Sequence, residues 1–378
     1  MSLSTIFLGL NLKNPIIVAA GPWSRDAQSI QRSIDAGAGA VVTETITLET
    51  GINIRPRLFK NNAHLFNVML YSALSLEQWE YELEQVDKKD SFIICSIWGS
   101  SPSELSYIAA KVERMGADAI EISISAPIGT KSDRLTYYPD YIEEYVKSVV
   151  NIVDIPVMVK LSYNTSLYSK VIRSIENAGA IAISAIDSLK SLQGVNIETQ
   201  ESIMPTYGGY TGEHIRPISL ATTATLAQLT KCQLSGIGGI FYYKNVLEYI
   251  MLGSTTVQLA SAIQLGGYHV ITETISDLNQ WLEKQSYNSI NNLRGSALKS
   301  LEAYEDIPVE NLIAQVRSSC TSKNILNAHS ACIYNAIEVV SGKPKISPNL
   351  CTGCGLCVEI CPECFELVWK QVKKTNPL

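Results

Sequence analysis

Seven of the nine cysteines lie between Cys320 and Cys364, and four of them form one run, Cys351-Thr-Gly-Cys354-Gly-Leu-Cys357-Val-Glu-Ile-Cys361-Pro362. The spacing is C-x2-C-x2-C-x3-C-P. Thiolates three residues apart on a tight loop reach three corners of one iron–sulfur cube, while Gly353 and Gly355 let backbone amides approach the sulfurs. Zinc held by two C-x2-C pairs is the competing arrangement, but such pairs stand about a dozen or more residues apart.

The fourth thiolate must come from elsewhere. In ferredoxin-like modules the last Cys of such a run serves the other cluster, and each cluster borrows a ligand from the opposite half. Cys332-Ile-Tyr-Asn-Ala-Ile337 resembles the second part of a ferredoxin half, where a terminal Cys precedes an Ala-Ile strand. The three other ligands of that half would stand at 322, 325 and 328, which hold Ser322, Ile325 and Ala328. The resemblance therefore implies one [4Fe–4S] cluster on Cys332, Cys351, Cys354 and Cys357, with Cys361 an orphan of a lost cluster. Cys320 and Cys364 match no ligand position and read as packing residues; a second cluster using Cys320, Cys361 and Cys364 is the alternative.

The chain that carries this module has 378 residues, 46% of them hydrophobic, which is enough for one large domain and a small appendage. A net charge of −6 and a pI near 5.4 argue against a nucleic-acid partner. No apolar run approaches the roughly 20 residues that span a bilayer. The segment Met1-Ser-Leu-Ser-Thr-Ile-Phe7 lacks the basic-then-apolar pattern of an export signal. Clustered rather than dispersed cysteines point to metal binding in a reducing, cytoplasmic setting.

Before the cysteine cluster, short apolar runs alternate with amphipathic stretches. Expected strands are Ile16–Ala20, Ala40–Thr43, Phe92–Trp98, Ala119–Ser125, Pro156–Leu161, Ile181–Ala185, Gln233–Gly236 and Thr256–Ala260. Expected helices between them include Ser75–Val86, Ser103–Met115, Pro139–Val153 and Leu167–Ala178. This alternation fits a (β/α)8 barrel over residues 1–300, followed by a ferredoxin-like domain over 301–378. Active sites of such barrels lie at the C-terminal strand ends. There the chain places Ala19-Ala20-Gly21-Pro22, Gly236-Ile-Gly238-Gly239-Ile240 and Ala260-Ser261-Ala262. Small-residue loops after the last two strands suit a phosphate, which backbone amides can cradle.

Several segments together resemble the dihydroorotate dehydrogenase family, and within it the pyrimidine-reducing domain of dihydropyrimidine dehydrogenase, which also carries C-terminal ferredoxin clusters. They are Leu8-Gly-Leu-Asn-Leu-Lys-Asn14-Pro15, Val159-Lys160-Leu161, Tyr207-Gly-Gly-Tyr-Thr-Gly212 with Ile215-Arg-Pro-Ile218, the Gly236–Ile240 loop, and Ala260-Ser-Ala-Ile-Gln264. The resemblance implies FMN. Ala19, Ala20 and Gly21 would lie along the isoalloxazine ring, with Thr45 and Asn67 near it. Lys160 would face the N1 region, where a cation stabilises the anionic reduced flavin. Gly212, Gly238, Gly239 and Ser261 would bind the phosphate, and Ala260 would also contact the cofactor.

The family's substrate grip is altered. Where the family usually reads Thr-Lys-Thr after strand two, this chain has Thr43-Glu44-Thr45. Its usual Asn after strand four is Ser123, and its Asn-Thr after strand six is Asp187-Ser188; among those amides Asn67 survives. Amides match the alternating donors and acceptors of a pyrimidine edge. A carboxylate at Glu44 repels an anion such as orotate and favours a cationic or hydrogen-bond-donating substrate, unless it pairs with Lys160 or Arg216. The family's proton donor sits on the loop after strand four; here that loop lacks cysteine, and Ser132, Thr136, Tyr137 and Tyr138 could give the proton. No G-x-G-x-x-G dinucleotide fold is found, so a ferredoxin or reductase subunit is the expected electron partner. The expected assembly is a homodimer. The expected activity is oxidation or reduction of a C–C or C–N bond in a small molecule other than a standard pyrimidine. The alternatives are dihydropyrimidine or dihydroorotate dehydrogenation with an atypical pocket, or a non-catalytic electron-transfer subunit.

Overall fold

Strands covered on both faces must be apolar nearly throughout, and parallel barrel strands are of that kind. Eight such strands are present: β1 Ile16–Val18, β2 Ala40–Val42, β3 Phe92–Ile97, β4 Ala119–Ser123, β5 Val157–Leu161, β6 Ala182–Ala185, β7 Gln233–Ile237 and β8 Thr256–Leu259. In this computed structural model, which describes residues 2–52, 54–125, 128–130, 139–318, 320 and 322–369, they close into one parallel barrel in chain order. Helices pack around it. Leu76–Glu84 starts at a Ser75–Gln78 capping box, and Pro102–Arg114 at a Ser101 cap with proline in its first turn.

Two further elements close the ends of the barrel. A hairpin of Thr5–Phe7 and Leu10–Leu12 drives Phe7, Leu8 and Leu12 against Ile17, Val42, Ile94 and Met158. The Gln233 side chain clamps it, accepting from the Leu8 N–H at 2.8 Å and donating to the Ile6 carbonyl at 3.0 Å. At the opposite end an antiparallel sheet runs Leu189–Ser191, Gly208–Thr211, His64–Asn67 and Leu58–Asn61.

The chain divides into two compact units, Met1–Leu301 and Glu302–Leu378. In the second unit, Leu312–Val316 pairs with Phe365–Trp369, and Ile337–Val340 with Lys343–Ile346. Helices Ile325–Ala331 and Leu356–Ile360 complete it around a core of Ile325, Ala328, Ile337, Cys361, Cys364 and Phe365. Among the described residues no helix is long and apolar enough to cross a membrane.

Candidate functional site

The C-terminal strand ends and the antiparallel sheet enclose a cavity of about 220 Å³. Ala19, Ala20 and Gly21 follow β1, and Glu44 and Thr45 follow β2; all five line it. So do Ser123, Lys160, Asp187 and Ser188, together with Asn67 from the antiparallel sheet. Gly238, Gly239, Ala260 and Ser261 form the remaining wall. Gly212 takes φ +91° to start the turn Glu213–Ile215, directly after Thr211, which lines the cavity with its Oγ1 hydrogen-bonded to Ser261 Oγ at 2.9 Å. The candidate proton donors Ser132, Thr136, Tyr137 and Tyr138 lie outside the described residues.

Several contacts fix these groups. Thr45 Oγ1 is 3.0 Å from Ser96 Oγ on β3. Asn67 Nδ2 donates to Ser188 Oγ at 3.4 Å, and the Ser188 N–H donates to Asp187 Oδ1 at 2.7 Å. Gly239 has φ +67°, and a Cβ there would lie 2.6 Å from Arg216 Cβ and 2.8 Å from the Glu213 carbonyl. A side chain would thus displace both neighbours, and glycine keeps the backbone open as an anion cradle requires.

Charge is concentrated at Lys160, which is only 9% exposed. Burial alone would push its ammonium down, but the carboxylates of Asp187 and Glu121 outweigh burial and hold it above its ordinary value of 10.5. Glu121 sits fully buried on β4, and its Oε2 accepts from Ser184 Oγ at 2.8 Å and from Gln258 Nε2 at 2.9 Å. Burial raises Glu44 above the ordinary carboxyl range, against a hydrogen bond from Ser72 and the more distant Arg57 and Arg25. Ser72 accepts from Trp79 Nε1 at 3.0 Å, which leaves its own proton to give to Glu44. Arg216, the other expected partner for Glu44, instead faces Glu213 at 3.7 Å and Glu248 at 3.5 Å.

Thr211, Gln258 and Glu121 are absent from the expected site. A signal for two of them was present: Glu121 and Gln258 are polar residues inside otherwise apolar runs, Ala-Ile-Glu-Ile-Ser and Thr-Val-Gln-Leu. A parallel barrel strand offers such residues no solvent face, so they mark an internal polar layer.

The second unit contains a cavity of about 240 Å³ lined by Cys332, Cys351, Cys354 and Cys357, with Ala314, Ala336 and Gly353 among the small residues around them. Gly353, at φ +71°, packs so closely on the Leu312 carbonyl that no Cβ fits. The Ala314 N–H donates to Cys351 Sγ at 3.3 Å and the Ala336 N–H to Cys332 Sγ at 3.4 Å. Burial raises the Cys357 thiol, and the neighbouring Cys351 and Cys354 raise it further, a repulsion that bound iron relieves. Among the described residues no three Cys, His, Asp or Glu side chains converge on one point as a single metal ion demands. The four thiols share one hollow, as the ligands of an iron–sulfur cluster must.

Cys320 and Cys364 depart from their reading as separate packing residues: they form a disulfide, with Cα atoms 4.3 Å apart. Cys361 is fully buried in the unit's core beside Ile325, Ala328 and Phe365.

A (β/α)8 barrel with a phosphate-ready mouth and a separate cysteine-lined hollow defines the class of protein. The family model for dihydroorotate dehydrogenase matches residues 2–282, and that for a 4Fe-4S binding domain matches residues 344–363. The catalytic subunit of dihydroorotate dehydrogenase B (NAD(+)) from Pyrococcus furiosus is 32% identical over 307 residues, covering 79% of this chain and 100% of the relative. The Pyrococcus abyssi counterpart is 31% identical over 306 residues, covering 77% and 97%. The NAD-dependent dihydropyrimidine dehydrogenase subunit PreA of Escherichia coli is 25% identical over 394 residues, covering 99% and 89%. The chain belongs to the dihydroorotate dehydrogenase family of oxidoreductases and carries a C-terminal iron–sulfur binding domain.

Proposed function

We propose that this chain is an FMN-dependent oxidoreductase with one [4Fe–4S] cluster, acting on a C–C or C–N bond of a small molecule and exchanging electrons with a protein partner through the cluster. The observation that carries the reading is Lys160, a buried ammonium in a barrel-mouth cavity that Gly238, Gly239, Ala260 and Ser261 also line. These residues, with Thr211, would hold the phosphate, while Ala19, Ala20, Gly21, Thr45 and Asn67 would hold the ring system. Bound FMN supplies hydride transfer and couples it to single-electron exchange. Lys160 would hold positive charge toward the flavin, and a hydroxyl of Thr136, Tyr137 or Tyr138 would handle the substrate proton. Cys332, Cys351, Cys354 and Cys357 would hold the cluster. A single cluster is supported by Ile325 and Ala328, buried where a second set of ligands would stand. A protein partner accords with the relatives, which are named as subunits. Anaerobic purification followed by flavin and iron assays tests this: about one FMN and four irons per chain are expected. About eight irons would overturn the single cluster, and absence of flavin would overturn the rest.

The substrate we favour is cationic or rich in hydrogen-bond donors, because Glu44, Asp187, Ser188 and Ser123 line the cavity. The second reading, oxidation or reduction of a dihydropyrimidine or dihydroorotate, draws on the names of the relatives. Glu44→Lys separates the two. Replacing a repelling charge by an attracting one about 4 Å from an anion is worth roughly 2 kcal/mol in a water-like dielectric of about 80, a gain on the order of 10–100-fold in orotate affinity. The wild-type affinity for orotate should also rise as pH falls through the raised Glu44 value, since the protonated carboxyl no longer repels, while the variant shows no such rise. Flavin-perturbation titrations at two pH values read both effects. Tight, pH-independent orotate binding by the wild type would favour the second reading.

A further inference from the structure

A carboxylate sealed inside a barrel loses its hydration, so its retention calls for a compensating partner. Glu121 is such a group, with no exposed surface. Its Oε2 is satisfied by Ser184 and Gln258, and its Oε1 accepts no hydrogen bond from the described residues. The strand register shows where its charge acts. Lys160 on β5 is the register partner of Ser123 on β4 and of Ser184 on β6. Glu121 precedes Ser123 by two residues and so shares its side of β4, while Ser184, the neighbour of Lys160, is the residue that bonds the carboxylate. The carboxylate therefore lies one layer beneath the ammonium.

We propose that Glu121 is a positioning residue for Lys160: a buried counter-charge, locked by Ser184 and Gln258 one layer beneath it, that keeps the Lys160 ammonium directed into the cavity. The role of Lys160 itself rests on the flavin reading above. Two carboxylates act on this lysine, Asp187 and Glu121. Asp187 lines the cavity beside the other charged lining groups, Glu44 and Lys190, so its influence changes as ligand or water enters. Glu121 is shut off from solvent and ligand, and its influence does not. Gln258 lines the cavity and also donates to Glu121, so the lock reaches from the cavity wall to the inner layer.

The test measures Lys160 directly, in the full-length protein with its bound groups. The holoenzyme is pulse-labelled with acetic anhydride across a pH series, and the extent of labelling at Lys160 is read by peptide mass spectrometry. In the wild type the pH of half-maximal reactivity should lie at or above that of the surface lysines. Glu121→Gln keeps an acceptor for Ser184 and Gln258 but removes the charge. It should raise Lys160 reactivity by on the order of tenfold near pH 9, because only the neutral amine reacts and its fraction grows exponentially as the counter-charge that holds the proton is taken away. Glu121→Asp, which keeps the charge, should restore the wild-type profile. A Glu121→Gln protein with wild-type flavin, iron and melting temperature but an unchanged Lys160 profile overturns the proposal. If that variant does not fold, the wild-type profile decides: half-reactivity at a lower pH than the surface lysines is the behaviour of a buried, unpaired amine and also overturns it. Absence of flavin in the wild type would defeat the flavin reading but leave the Lys160 profile readable, so the two failures are distinct.

Discussion

Replacing Cys332 with alanine should destroy the iron–sulfur centre, whereas the same change at Cys361 should leave it intact. The two residues belong to similar-looking sequence contexts, yet Cys332 lines the thiol-walled cavity and Cys361 lies in the hydrophobic core behind it. Iron should fall from about four per chain to about three or fewer in Cys332→Ala and stay near four in Cys361→Ala, because a cubane missing one thiolate loses its corner iron or the whole cluster. The structural consequence should also be large. Among the described residues, the core cluster of the unit Glu302–Leu378 holds only six buried side chains, two of them cysteines, and domains of this size need staples. The Cys320–Cys364 disulfide, with a sequence separation of 44, encloses every proposed ligand and supplies one staple. The cluster supplies the other, since metal-binding free energy in small domains is folding free energy. Limited proteolysis should therefore release a fragment ending near residue 301 from Cys332→Ala while sparing Cys361→Ala. Equal iron in the two variants would refute the ligand assignment.

The contrast between these cysteines shows what sequence carries and what it hides. The ligand run was legible because a cluster imposes local spacing, and the barrel because parallel strands, apolar on both faces, stand apart from amphipathic helices. Lys160 was legible as a cation ending an apolar strand. What escaped depends on three-dimensional neighbours. The hairpin Thr5–Phe7 and Leu10–Leu12 and the antiparallel sheet bearing Asn67 and Gly209 are short strands paired over long separations, with no period to announce them. The disulfide joins residues whose proximity follows from the pairing of Leu312–Val316 with Phe365–Trp369, which brings Cys320 and Cys364 to one end of a two-stranded sheet. Gly212 was placed in the phosphate grip by the family resemblance, which does not reveal its neighbour Thr211, a lining residue bonded to Ser261. Glu121 escaped the sequence reading altogether, because its meaning lies in Ser184 and Gln258 on other strands.

Lys160→Met should combine the largest losses in the barrel unit. Methionine matches the volume of the aliphatic stem, so packing is kept while the charge is deleted. Asp187 and Glu121 then face each other's field without a cation between them. Removing one partner of a buried pair costs about 3–5 kcal/mol; with Lys160 at the wall of a cavity that water can reach, the low end, about 3 kcal/mol, is expected. At roughly 2 °C per kcal/mol for a unit of this size, the melting temperature should drop by about 6 °C. The pH dependence has a definite sign. The folded-state value of Lys160 lies above 10.5, so the stabilisation from its charge is fully present below pH 10.5 and is lost only as pH rises through the folded value. The deficit of Lys160→Met should therefore be constant from neutral to mildly alkaline pH and shrink only above that range. Adding Glu121→Gln should recover part of the loss, since the second change removes the carboxylate that the first left unpaired; the non-additivity measures the coupling. The flavin should respond in parallel, with weaker retention on gel filtration and a more negative midpoint potential, because the positive charge that favours the reduced anion has gone. A Lys160→Met protein with wild-type melting temperature and wild-type flavin potential would show that the buried ammonium does not serve the flavin and that its carboxylates are neutralised some other way.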